Sequence, residues 1–160
     1  MTIGTFDDVR IVCMGNLPGP RLLRGLKDHS VRLGARNDEP GVVWRRGRNG
    51  HTWTFKCISL ATTEDSHNLF LFADPHGHLR LAPPPAELDG LPQAWHAREI
   101  AGQPTRFTFE NITLLGTGAA ARFLDGRTAT GDVGFAPNTA PPFTGTAWSV
   151  DPLPKNHFME

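Results

Sequence analysis

The chain has no excess of charge of either sign, since Lys and Arg number 16 and so do Asp and Glu. That balance excludes the general electrostatic pull toward nucleic acid that many phosphate contacts require. It also lacks any run of 18 apolar residues, so no helical membrane span is expected. Residues 1–8 have neither a basic start nor an apolar stretch. No signal peptide is expected there, and a cytoplasmic location is the default reading. Cysteine is scarce: Cys13 and Cys57 are too few for a disulfide framework. They are expected to be buried thiols at non-equivalent places in the pattern described below. The linear signatures of catalysis are missing too, with no G-x-S-x-G, no H-E-x-x-H, no P-loop and no supported Cys–His pairing. No cofactor is implied.

Long helical patterns are also absent. Gly (17) and Pro (14) are plentiful instead, and they break the chain into many short apolar runs, the mark of an all-β domain. The runs recur. Trp44, Trp95 and Trp148 are spaced 51 and 53 residues apart. Upstream of them lie Val31-Arg-Leu33, Leu79-Arg-Leu81 and Val133-Gly-Phe135. Before these come Leu22-Leu23, Leu69-Phe70 and Phe123-Leu124. Each unit opens with an aromatic five residues before an Ile: Phe6 and Ile11, Trp53 and Ile58, Phe107 and Ile112. Alternation within the runs has the period of a half-buried strand. Four runs in each of three units, at about 5–51, 52–105 and 106–153, predict twelve short strands in a β-trefoil covering residues 1–160. The three Trp, together with Phe6, Trp53 and Phe107, are expected to fill its core.

The third unit, "RFLDGRTATGDVGFAP…TAWSV", resembles the ricin-B-like lectins, and Gln93-Ala-Trp95 in the second is similar to their Q-x-W signature. Val42 and Thr146 stand where the other two units would carry that Gln. The resemblance implies a trefoil fold and a sugar-binding Asp at the end of the second strand. Asp125 matches that position; Arg24 and Leu71 stand at it in the other units.

Functional groups are expected where the units differ. Asp125, Arg127 and Thr128 in the third hairpin combine a carboxylate, a guanidinium and a hydroxyl, which suits a neutral polyol. Asn138 and Phe143 would complete this site. Asp74, His76 and His78 are a second candidate group, although a metal would need further ligands and none is expected. Arg45 and Arg46, with Arg36 and Arg48, would suit an acidic partner, whereas Asp7 and Asp8 are expected to be solvated. The equivalent proline loops at 82–92 and 137–143 are stiff enough to present a protein-binding surface. The leading expectation is a non-catalytic module for a carbohydrate or small polyol. A protein-binding trefoil, either a protease inhibitor or a toxin- or cytoskeleton-associated module, remains open. So does a small-molecule enzyme with a deep polar cavity lined by His51, His96 or Glu110.

Overall fold

The computed structural model describes residues 5–58, 69–74, 76–83 and 93–154. Its strands are β1 Thr5–Cys13, β2 Leu22–Gly25, β3 Val31–Gly34, β4 Trp44–Asn49, β5 Thr52–Cys57 and β6 Phe70–Ala73. They continue with β7 Leu79–Ala82, β8 Trp95–Ile100, β9 Gln103–Asn111, β10 Phe123–Arg127, β11 Asp132–Ala136 and β12 Trp148–Pro152. The all-β architecture expected from the turn-rich sequence is what the chain adopts. Among the described residues the one α-helix, α1 Ile112–Gly116, is capped by Asn111, whose side chain accepts the Leu114 N–H. No helix among the described residues is long and apolar enough to cross a membrane.

Every strand pairing among the described residues is antiparallel. β1 pairs with β4, β4 with β5, β5 with β8, β8 with β9, β9 with β12, and β12 with β1. Six strands therefore close on themselves and leave no free edge in that ring. The other six form the hairpins β2–β3, β6–β7 and β10–β11, attached through β1, β5 and β9.

Trp44, Trp95 and Trp148 are fully buried. Each indole N–H donates to a second-strand carbonyl: Leu23 at 2.9 Å, Leu71 at 3.3 Å and Leu124 at 3.0 Å. The indole thus fills space and satisfies a buried backbone acceptor at once. Truncating one to Ala removes both, at a cost of about 3–5 kcal/mol. Three residues before Trp44 and Trp148 stand Gly41 and Gly145. A Cβ on them would lie 2.0 Å from the Gly25 carbonyl oxygen and 1.8 Å from that of Gly126, so no larger residue fits the observed backbone.

In the second unit the side chain of Gln93, which is buried, does related bracing. It accepts from the Ala73 N–H at 2.7 Å and from Asn111 Nδ2 at 2.6 Å, and donates to the Ala73 carbonyl at 3.1 Å. The glutamine of the Q-x-W match is therefore a brace inside the core.

The structure corrects several expectations. Cys13 pairs with Trp148, Cys57 with Trp44 and Asn111 with Trp95, so the two cysteines occupy equivalent register positions. Both are buried thiols, and neither forms a disulfide among the described residues. Ile58 and Ile112 each follow that position, and Met14, not Ile11, is their counterpart. The shift arises because the connections from β1, β5 and β9 to the following hairpins differ in length, so counting back from the hairpins misplaces β1 by three residues. Val9 consequently takes the core position beside Trp44, and Phe6 is 70% exposed. Trp53 is buried, while Phe107 packs against the core from its margin. The indole acceptors make Leu71, not Phe70, the counterpart of Leu23 and Leu124. Phe72 is therefore the residue that matches Asp125.

Candidate functional site

Strand β10 reads Phe-Leu-Asp-Gly-Arg. Its pleat buries Leu124 in the core and turns Asp125 to the opposite face. There Asp125 lines a cleft of about 340 Å³ that also includes Arg127, Thr128 and Phe143. The cleft is built from three stretches remote in sequence: the β10–β11 turn, residues 142–145, and Gly15, Asn16 and Leu17 between β1 and β2.

Hydrogen bonds hold these stretches together. The Arg21 guanidinium donates to the carbonyls of Cys13 at 3.0 Å, Gly15 at 2.7 Å and Leu17 at 3.1 Å, fixing the first-unit rim. Thr128 Oγ1 donates to the Leu17 carbonyl at 2.6 Å, tying the third hairpin to that rim. Thr144 Oγ1 donates to Asn16 Oδ1 at 3.0 Å, closing the other side. The rim is thus set before any ligand arrives, which lowers the ordering cost of binding.

Asp125 is only 8% exposed. No hydrogen-bond donor reaches its carboxylate among the described residues. Loss of solvent pushes its pKa above the ordinary aspartate range, and the charge of nearby Arg127 acts in the opposite direction. A desolvated carboxylate without donors, facing an opening, is an acceptor awaiting O–H or N–H groups.

The other candidates fall as follows. Thr128 is buried and its hydroxyl proton is committed to Leu17, so it builds the rim. Phe143 is half-buried on the cleft wall. Asn138 stays outside: its Oδ1 accepts the Ala140 N–H at 3.0 Å within its own loop. Asp74 Oδ1 accepts the N–H groups of His76 and His78, both at 2.9 Å, so it organises the β6–β7 turn. Those bonds, that of His78 foremost, hold its pKa below the ordinary range. Among the described residues no three His, Cys, Asp or Glu side chains gather as a metal site would require.

Arg45 and Arg46 meet acidic partners inside the chain. Arg45 pairs with Asp8 at 2.9 Å and Arg46 with Asp7 at 2.5 Å, across the β1–β4 ladder. Arg46 is also buried over the Trp53 ring, 4.7 Å from its centroid. Asp7 and Asp8 are therefore part of a cross-strand ion-pair set and not solvated surface charges. The proline loop at 82–92 lies largely outside the described residues. His96 and Glu110 line a second cleft of about 340 Å³ on the barrel flank, and His51 a neighbouring one of about 290 Å³.

Sequence reasoning did not find Asn16 or Leu17. They come from the first unit, and no local pattern marks a loop whose partner lies more than a hundred residues away. Gly19 was the one available signal: at φ +145°, it brings its backbone against Thr128.

No protein-family model matches this chain, and no curated protein matches it significantly.

Proposed function

We propose that this chain is a β-trefoil of the ricin-B-like type that binds a neutral carbohydrate or small polyol, without catalysis, in the cleft of its third repeat. Support for the trefoil comes from the closed six-strand ring, the three hairpins hung on alternate strands of it, and the three equivalent indole bonds. Support for the ligand class comes from the chemistry of the cleft, and one observation carries it: Asp125, almost fully buried, has no hydrogen-bond donor among the described residues.

A pair of vicinal hydroxyls supplies two donors at the spacing of a carboxylate's oxygens. Arg127, exposed at the cleft mouth, donates back to hydroxyl oxygens. Asn16 spends its Oδ1 on Thr144 and keeps its amide N–H groups for a ligand. Phe143 and Leu17 offer apolar surface to the C–H face of a pyranose ring. Such a site has few hydrogen bonds and little enclosed area, so its single-site affinity is weak, and useful binding would draw on avidity.

The test is a titration of a panel of neutral monosaccharides and disaccharides into the protein and into Asp125→Asn. At least one sugar should bind the parent saturably, and the variant should lose that binding. A panel that is silent toward the parent, or an Asp125→Asn protein that binds as the parent does, removes the reading.

A further inference from the structure

A second cleft lies on the barrel flank, lined by groups that the cleft around Asp125 does not use. The register of β8 and β9 places His96 opposite Glu110 and Arg98 opposite Thr108. Residues 96 and 98, and 108 and 110, differ by two, so all four side chains stand on one face of the ladder. Arg122, the residue just before β10, joins them, because Phe123 of β10 pairs with Glu110. Together with Thr139 these residues line the flank cleft of about 340 Å³.

The charges in this cleft are unequal in kind. Arg122 is fully engaged on one side: its Nε donates to Glu110 Oε2 and its Nη1 to the Ala119 carbonyl at 3.2 Å. This ion pair neutralises Glu110 and fixes the Arg122 guanidinium plane. Arg98 is exposed and has no ion-pair or hydrogen-bond partner among the described residues. It leaves one uncompensated cation at the cleft, beside the Thr108 hydroxyl and the His96 imidazole.

The unit thus presents a free planar fork, a hydroxyl and an imidazole on a rigid two-strand platform. From this we infer that the β8–β9 flank is an oxyanion-binding site for the carboxylate or phosphate group of a small acidic ligand, with Arg98 as its principal donor. Arg matches such groups with two parallel N–H···O bonds, which a neutral hydroxyl cannot reciprocate. Thr108 and His96 each add one donor. Glu110 is no obstacle, since Arg122 already holds its charge. The site is independent of the sugar cleft: Phe123 and Asp125, two residues apart on β10, serve one cleft each.

Amide NMR titration of the whole protein with inorganic phosphate, with glucuronate and with glucose tests this. Either anion should move the amides of residues 96, 98, 108 and 110 saturably at millimolar concentration, and glucose should leave them in place. Arg98→Gln should weaken the anion response at least tenfold. Arg36→Gln, which alters an exposed arginine elsewhere, should leave it unchanged. Asp125→Asn should also leave it unchanged, so a failed sugar site and a failed anion site are told apart. The inference is overturned if neither anion shifts these amides, if glucose shifts them as strongly, or if Arg98→Gln responds as the parent does.

Discussion

In the first unit, the residue after the carbonyl that receives the tryptophan N–H is Arg24; in the third it is Asp125. Arg24 donates to Glu39 at 2.7 Å and to the Pro40 carbonyl at 2.8 Å. Glu39 also accepts the N–H groups of Ala35 and Arg36, both at 2.7 Å. Arg24 and Glu39 at that corner thus bond each other and the local backbone. At the third corner the carboxylate has lost most of its water and received no donor in exchange. The same framework position thus yields a closed brace in one unit and an open acceptor in another. The candidate site comes from withholding a partner, a local cost that the surrounding fold supports.

Four experiments break or sharpen this contrast. The largest effect should come from what the two corners share. Gly41→Ala and Gly145→Ala each force a Cβ into a carbonyl oxygen, and each should cost roughly 3 kcal/mol or more of stability. Denaturant unfolding reads this, and a neutral result at either position would refute the close-approach account.

Binding comes next. Asp125→Asn should weaken sugar binding by about thirtyfold or more, near 2 kcal/mol, whereas Arg24→Gln should leave it within twofold. Calorimetric titration separates them, and an equal loss from both would erase the distinction between the corners.

The two carboxylates should also differ in the sign of their pH linkage. Burial raises the folded pKa of Asp125 above its unfolded value, so the folded state holds that proton more tightly. Its charged form costs stability above the folded pKa, and the cost vanishes below the unfolded one. Asp125→Asn should therefore be the more stable protein at neutral pH, by about 1 kcal/mol, with the gap closing on acidification. Sugar affinity of the parent should fall as pH drops through that raised pKa. Thermal melts across pH that show Asp125→Asn less stable at neutrality would contradict this.

Glu39 behaves in the opposite way. The N–H of Arg36, then that of Ala35 and the charge of Arg24, lower its folded pKa. It contributes stability above its unfolded pKa and loses it as pH falls through the folded one. Glu39→Gln should cost less than about 1 kcal/mol at neutral pH, the smallest change of the four, because the pair is partly exposed. Melts showing the deficit growing at acid pH would overturn this assignment.

Much of the fold was legible because strand burial writes itself into local pattern. The tryptophans and the hairpin runs of the first and third units lie where their alternation placed them, and the second unit's run is offset by one residue. Connection lengths were not legible. The β1–β2 connection is shorter than its counterparts, and this hid both the equivalence of Cys13 with Cys57 and the exposure of Phe6. Of the site, Asp125, Arg127 and Phe143 could be read from one contiguous stretch. Thr128 was recognised as polar but not as a rim bond, and Asn138 was drawn in by proximity in sequence although its side chain serves its own loop.

By itself the sequence determined an all-β chain of repeating strands, with three tryptophans inside and unlike turns outside, because apolar periodicity and turn chemistry are local properties. Only the tertiary structure decided which polar groups meet. It paired Arg45 and Arg46 with Asp8 and Asp7, carried Asn16 and Leu17 to the third hairpin, and left Asp125 and Arg98 without partners among the described residues. Hydrogen bonds and ion pairs form between residues far apart in the chain, and whether a given charge is compensated depends on closing the barrel, not on its neighbours in sequence.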